Sequence, residues 1–369
     1  MVYFLYIFLI TVQWIASNCV YIKSSRITTG GITAEGKKIN NKLFLIVACV
    51  ELIILAGIRG YNVGADASTY LSALEHYSSL PKGEILSAKL VYPYDFEVAY
   101  FMLTKICAFL GFSKTAFLFL IAIVTYVPIF IAINKLSADP YLSILTYFAF
   151  GLFAYSLGIF RQMIAISIII CGIDFIKDRK FIKYALLVAL AMTFHTSSVI
   201  SIALYFIYPF AWKLNIKVAL PAAAVSLVLG RPIISFVFNL FPSYSHYLNG
   251  KYDVQGGSYL MLLMYGVILA AYCIANHIKK PVGYSKIAFD AIAVSLVIQS
   301  LAYSMNIFGR IIGYYSVYLL FAIPNIINVF DAKTRQFIKL FVTVILWLLI
   351  LWRVGSNSYI NNYVVFWKQ

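Results

Sequence analysis

Apolar residues along this chain gather in long blocks separated by short polar runs. A helix that crosses a bilayer needs roughly 17–25 of them in succession. Clear candidates are 2–22, 43–58, 115–134, 141–158, 259–276, 287–303, 311–330 and 338–352, and less regular apolar stretches occupy 97–112, 162–176, 184–212 and 218–241. About ten to twelve hydrophobic helical segments follow, with no internal repeat, low-complexity run or soluble domain between them. The pattern predicts an all-α, polytopic integral membrane protein forming a single membrane domain over 1–369. Residues 2–22 lack a basic leader, and Ala16-Ser17-Asn18-Cys19 is a poor lipoprotein cleavage site, so an uncleaved first helix is expected.

The short polar runs set the expected orientation, because Lys and Arg collect on the cytoplasmic side. Residues 23–42 carry Lys23, Arg26, Lys37, Lys38 and Lys42 against Glu35, and 177–183 carry Lys177, Arg179, Lys180 and Lys183 against Asp178. Basic residues also dominate 277–286 and 331–339. By contrast, Asp66, Glu75, Glu84, Asp95 and Glu97 lie within 59–97, and 242–258 holds only Lys251 and Asp253. Outward-facing loops are therefore expected at about 59–96 and 242–258. An odd number of crossings must separate 177–183 from 242–258, yet 184–212 and 218–241 are both long enough to cross. One solution makes 184–212 a re-entrant pair of half-helices turning near Thr193-Phe194-His195-Thr196, with its polar backbone covered by protein or water. The other keeps one straight helix there and breaks 218–241 at Gly230-Arg231-Pro232. Residues 97–112 either span or lie along the outer surface.

Composition confirms the solvent. Of 369 residues, 63% are hydrophobic and 11% charged, with a mean hydropathy of +0.89. A soluble domain is about a quarter charged. The net charge of +16 lies mainly in the inter-block runs, where it reads as topology signal and lipid-headgroup contact rather than as a nucleic-acid footprint. The five cysteines, Cys19, Cys49, Cys107, Cys171 and Cys273, form no CxxC pair and no metal-ligand spacing with the histidines. They are expected to be buried thiols. No metal and no cofactor is called for. Phosphate-binding glycine loops and nucleophile elbows are also missing from the sequence.

A charged side chain inside lipid costs about 2.5–3.5 kcal/mol on insertion scales, so it usually has a partner or a task. Arg59 stands at the outward end of the second block, in Gly57-Ile58-Arg59-Gly60-Tyr61-Asn62-Val63-Gly64-Ala65-Asp66, where Arg59 and Asp66 could form a fixed pair. Tyr70, four residues after Asp66, shares its face if the loop re-enters a helix. Arg161-Gln162 interrupts the apolar stretch 141–176 and offers a planar fork of donors suited to phosphate oxygens. His195 sits among Thr196, Ser197 and Ser198, and Arg310 opens the block 311–330. By the parity count Arg59, Arg161, His195 and Arg310 approach one outward layer, an arrangement suited to a diphosphate. Tyr92, Tyr94, Tyr244, Tyr247 and Tyr252 supply flat rings in the outer loops, as sugar platforms or interface belts.

These residues also carry a resemblance. Arg59 to Asp66 with Tyr70, followed by Glu97 before an apolar segment, resembles the outer-loop pattern of the EpsG family. Arg161-Gln162-Met163-Ile164-Ala165 resembles its Arg-Gln-x-Ile-Ala signature, and Phe194-His195-Thr196-Ser197-Ser198 its Phe-His-x-Ser-Ala element, with Ser198 where Ala is usual. Phe96-Glu97-Val98 lacks the glycine usual near that glutamate. The resemblance implies a Wzy-type polymerase of bacterial exopolysaccharide, capsule or O-antigen. Such an enzyme joins undecaprenyl-diphosphate-linked repeat units at the outer face of the cytoplasmic membrane. It also implies a metal-independent glycosyltransferase with a GT-C-like helical fold, with a chain-length regulator and a flippase as candidate partners.

Joined to the residue reading, this gives a definite expectation. Arg161, Arg59 and Arg310 hold the donor diphosphate, and Asp66 or His195 accepts the proton of the acceptor hydroxyl. Gln162, Tyr70 and Glu97 are candidate substrate-binding residues. Two rival classes are a lipid-linked oligosaccharide flippase, whose charges would spread along a cavity through the bilayer, and a membrane O-acetyltransferase acting on glycans.

Overall fold

The computed structural model describes residues 2–27, 34–90, 94, 96–240, 248, 253, 254, 256, 258–280, 282–356 and 363–368, with backbone alone at 18–27, 34–40, 212, 214, 356 and 368. The expectations placed on Tyr92, Asp95, Tyr244, Tyr247, Lys251 and Tyr252, and on the side chains of Cys19, Lys23, Arg26, Glu35, Lys37 and Lys38, lie outside what is described.

The apolar blocks are helices. In chain order they are α1 (Val2–Ile27), α2 (Ala34–Gly57), α3 (Ala67–Ser78), α4 (Lys82–Ile85), α5 (Val98–Phe109) and α6 (Lys114–Leu136). There follow α7 (Pro140–Ala149), α8 (Leu152–Gly158), α9 (Phe160–Ile170), α10 (Ile173–Lys177) and α11 (Phe181–Met192). A 3-10 turn at Thr196–Ser201 leads to α12 (Ile202–Ile207), α13 (Trp212–Leu240), α14 (Tyr259–Ile278) and α15 (Tyr284–Ser304). The last are α16 (Phe308–Ile311), α17 (Gly313–Ser316), α18 (Leu319–Ile327) and α19 (Ala332–Ser356). Among the described residues there is no named strand, only an antiparallel bridge between Arg59 and Val365.

Among the described residues five helices are long and apolar enough to cross a membrane, and two bent pairs raise this to as many as seven. The pairs are α7 with α8, bent by 61°, and α16–α17 with α18, bent by 50°. Shorter apolar helices cover Val2–Ser17, Val98–Phe109, Phe160–Ile170, Phe181–Met192 and Thr196–Ile207, and the block 43–58 lies within α2. The protein is thus an all-α, multi-pass membrane protein. Breaks fall where backbone chemistry requires them. Gly151 adopts the left-handed conformation between α7 and α8, and Asp139 caps α7 with Pro140 in its first turn. Within α13, Leu229 leaves helical geometry shortly before Pro232, whose ring crowds the carbonyl four residues earlier. The chain also breaks at Thr193–His195 between α11 and the 3-10 turn. Both breaks offered as alternatives by the parity argument are therefore present. Helix α5, at 12 residues, is ~18 Å long and too short to cross ~30 Å of hydrocarbon.

The helices form two compact units, with no shift in composition to mark the division. The first comprises Met1–Cys171, Ala189–Ser198 and Lys339–Gln369; the second comprises Gly172–Val188 and Val199–Ile338. In the first, α2 packs along α6, α6 on α9, and α3 on α5. Polar bonds stitch its apolar helices: Tyr6 donates to the Ala48 carbonyl at 2.9 Å, Gln13 Nε2 to Glu51 Oε1 at 2.5 Å, and Lys339 pairs with Asp139. The stretch 59–96, expected as a loop, instead folds into α3 and α4 over α5. Tyr70, Leu74, Tyr77, Phe96, Tyr100 and Phe160 share one core there. Lys105, buried on α5, ties that core down by donating to the carbonyls of Leu86 and Ala88.

In the second unit α15 is the central helix, packed by α13 and α14. Asp290 is fully buried on it, with Lys286 Nζ at 2.6 Å and Asn215 Nδ2 at 2.6 Å. Arg231, next to the kink of α13, grips Asp253 through both terminal guanidinium nitrogens.

Candidate functional site

Four segments of the first unit meet at one place. The earliest is the turn after α2. Arg59 is 1% exposed, and its nitrogens donate to three backbone carbonyls: Ala56, Val63 at 3.3 Å and Leu157 at 3.1 Å. Its guanidinium carbon lies 5.2 Å from the Phe160 ring centre. Residues 363–366 run alongside, with Gly60 N donating to Val364 O and Phe366 N to Ile58 O at 3.0 Å. Arg59 therefore fastens the turn to the end of α8. The expected Arg59–Asp66 pair does not form, because the guanidinium is committed to carbonyls. Burial also removes Arg59 from the set that can touch a diphosphate.

The second segment is the junction of α8 and α9. Gly64 has φ +113, and a Cβ on it would stand 1.9 Å from the Leu157 carbonyl oxygen, while a Cβ on Gly158 would stand 2.5 Å from Ala65 N. Two backbones touch here without side chains between them. Ile159 interrupts the helix (φ −102, ψ 65), and α9 restarts so that Arg161 lies in its first turn. The third segment is the start of α5. Glu97 holds the N-cap position in extended geometry, yet its side chain makes no cap bond and is left to reach outward. The fourth is the break after α11, held to α5 by Ala99 N donating to Thr193 O at 2.9 Å.

Glu97 joins the last three. One carboxylate oxygen pairs with Arg161 Nη1; the other takes His195 Nδ1 at 2.9 Å and Thr196 N at 3.0 Å. Arg161 Nε lies 3.4 Å from the Tyr70 hydroxyl, and its guanidinium carbon sits 4.9 Å from the Phe96 ring centre and 5.7 Å from that of Tyr70. Tyr70 in turn stacks on Phe160 at 4.8 Å. The guanidinium is thereby held rigid by an anion on one edge and rings on its faces. The side chains of Arg161, Glu97 and His195 keep 24%, 18% and 26% of their surface exposed, so the cluster is reachable from outside the fold.

Burial works to raise the Glu97 carboxyl, but the His195 hydrogen bond and the Arg161 charge outweigh it and hold it down at about 2. A carboxylate only accepts hydrogen bonds, so His195 Nδ1 must carry a proton toward it. In the neutral imidazole the lone pair then sits on Nε2, which makes no hydrogen bond among the described residues; the same holds for Arg161 Nη2. The arrangement offers a proton acceptor and an anion-binding edge, both oriented by one carboxylate.

Asp66 precedes α3, half-buried. Tyr70 lies one turn along that helix, as the spacing predicted. Gln162 is 3% exposed and, as the neighbour of Arg161 on a helix, points to a different side. Arg310 is exposed on α16 of the second unit. Of the three arginines expected to converge, this cluster contains one accessible guanidinium, Arg161. From sequence Glu97 is a candidate substrate-binding residue, whereas Phe96 and the Thr196 amide carry no expected role. The signal for Glu97 is an acid directly before an apolar segment. Among the described residues no three His, Cys, Asp or Glu side chains gather as a metal-binding group.

The family model described as EpsG family matches residues 42–366, most of the chain and all four of these segments. No curated protein and no solved structure matches the chain. The chain belongs to the EpsG family.

Proposed function

From that membership we propose that this protein is a polysaccharide polymerase: a multi-pass glycosyltransferase of the bacterial cytoplasmic membrane. It moves a growing glycan from one undecaprenyl diphosphate to a sugar hydroxyl of another lipid-linked repeat unit, at the outer membrane face. The observation that carries this reading is the single Glu97 carboxylate that holds Arg161 with one oxygen and His195 with the other. Transfer to a hydroxyl needs a proton acceptor and stabilisation of a departing diphosphate, and the cluster supplies both within one rigid frame.

In the proposed reaction the acceptor hydroxyl gives its proton to His195 Nε2 as its oxygen attacks the anomeric carbon of the donor glycan. The bond between that carbon and the diphosphate oxygen breaks, and the leaving diphosphate keeps the electron pair against Arg161 Nη2. Glu97 stays ionised and steadies the imidazolium. Asp66 and Arg310 are proposed as outer contacts to the sugars and carrier, and Arg59 as a positioning residue.

Purified protein given lipid-linked repeat units tests the reading. A ladder of lengthening glycans, lost in Arg161→Ala and His195→Ala, is the expected result. Movement of units across the bilayer without bond formation would make the protein a transporter, and acyl incorporation an acyltransferase; either outcome overturns the proposal.

A further inference from the structure

Between α2 and α6 of the first unit runs a groove of about 290 Å³. Lys42, Ile46, Val50 and Ile53 form one stripe of α2 along it, and Phe130 and Asn134 face them from α6. Ile46 and Val50 are about half exposed, so the groove opens toward lipid rather than into the core. Its walls offer almost no hydrogen-bond partners, which excludes a sugar or nucleotide as the occupant. Gly57 at the end of α2 packs on Phe119 near the start of α6, so the two helices run antiparallel and the polar lining residues Lys42 and Asn134 fall toward the same end. Lys42 has no ion pair among the described residues. From Lys42 to Ile53 a helix rises ~16 Å, about half of a ~30 Å hydrocarbon core. The groove therefore has the depth of one leaflet and a cation at its mouth.

We propose that this groove binds an anionic phospholipid of the cytoplasmic leaflet, one acyl chain lying between α2 and α6 and the phosphate held by Lys42 and Asn134. The leaflet follows from the basic run that ends at Lys42 and is independent of the polymerase reading. The apolar stripe supplies the depth match, and the Lys42 charge supplies the preference for negative headgroups.

Nanodiscs carrying phosphatidylglycerol or phosphatidylcholine with a photoreactive group in one acyl chain provide the test. Cross-linked peptides located by mass spectrometry should fall on α2 and α6, with phosphatidylglycerol favoured about fivefold, the worth of one lysine near an anionic surface. Lys42→Gln should remove that preference, Lys42→Arg should keep it, and Val50→Trp should block the groove and lower cross-linking from both probes. Equal labelling by the two lipids, a preference unchanged in Lys42→Gln, or labels spread evenly over the lipid-facing helices would overturn the proposal.

Discussion

Glu97 Oε1 lies 2.9 Å from His195 Nδ1, although 98 positions separate the two residues. The partner oxygen of the same carboxylate takes Arg161 from a third segment. This sharing makes one site out of three motifs. It also implies that the imidazole and the guanidinium are not independent, since whatever displaces Glu97 displaces both.

That dependence gives a first prediction. His195→Ala should lower polymerisation by about 10²–10⁴-fold, the usual worth of a positioned acid–base group. Glu97→Gln should do comparable damage, because an amide gives Arg161 no charge and cannot hold the imidazole in the same way. The double variant should be little worse than either single one, as for residues acting as a unit. Multiplicative losses in a ladder assay would show that the two act separately. Asp66→Asn should retain more activity than His195→Ala; the reverse would transfer the proton-acceptor role to Asp66.

The two arginines of the first unit should separate cleanly. Arg161→Lys keeps a charge near Glu97 but loses the fork that meets a diphosphate edge-on, so membrane levels should stay near normal while polymer disappears. Arg59→Lys cannot reach the three carbonyls now served by one guanidinium. Each carbonyl left buried without a donor costs ~1–3 kcal/mol, and the protein itself should be lost or its melting temperature lowered. Immunoblots of membranes beside polymer gels distinguish these outcomes.

Acidification should leave the cluster intact through the physiological range. The folded Glu97 carboxyl sits at about 2, below its ordinary 4.5. A depressed carboxyl contributes stability that is fully present above the unfolded value and is lost as pH falls through the folded one. The difference in melting temperature between wild type and Glu97→Gln should therefore be flat from pH 8 to about 5 and shrink only below about 4.5. A difference that already shrinks between pH 7 and 5.5 would mean that Glu97 is not held as described.

Much of this architecture is legible in the sequence, because a bilayer imposes length and apolarity on whatever crosses it. Arg161 and His195 stood out for the same reason: each interrupts an apolar stretch where charge is costly. Arg59 stood out too, but the sequence does not show which acceptors a buried arginine finds. Its partners are backbone carbonyls, and carbonyls are identical in every residue. Glu97 was visible as an acid at a helix start. Its central place depends on the break at Thr193–His195 folding back onto α5, a tertiary contact without a local signal. Likewise, nothing in the pattern across 59–96 separates a polar outer loop from α3 and α4 packed on tyrosines.

Backbone contact at Gly64 gives a fourth prediction. An added methyl would meet the Leu157 carbonyl oxygen at 1.9 Å, in a backbone conformation with φ +113 that side chains rarely adopt. Gly64→Ala should thus push the turn away from α8 and displace Arg161, with loss of polymer and a lowered melting temperature. Gly266→Ala on α14, where nothing lies within 4 Å, is the control and should leave both unchanged. A fully active Gly64→Ala protein would show that the contact of the two chain segments is not what places Arg161.

The last prediction concerns Glu51, a carboxyl within the apolar run of α2. Gln13 Nε2 donates to Glu51 Oε1 at 2.5 Å, while Glu51 Oε2 and Gln13 Oε1 are both buried without a hydrogen-bond partner among the described residues. Two acceptors thus lie orphaned on one pair of side chains, and a single added donor on residue 51 would serve Gln13. Glu51→Gln supplies that donor in its amide and keeps an oxygen for Gln13 Nε2, so the variant should melt at or above the wild-type temperature. Glu51→Ala removes the existing bond as well and should cost about 0.6–1.7 kcal/mol, the range for side-chain hydrogen bonds between membrane helices. Thermal unfolding in one detergent, with both variants compared side by side, decides the matter. If Glu51→Gln is as destabilised as Glu51→Ala, the second carboxyl oxygen has a partner of another kind and the pairing of α1 with α2 rests on charge.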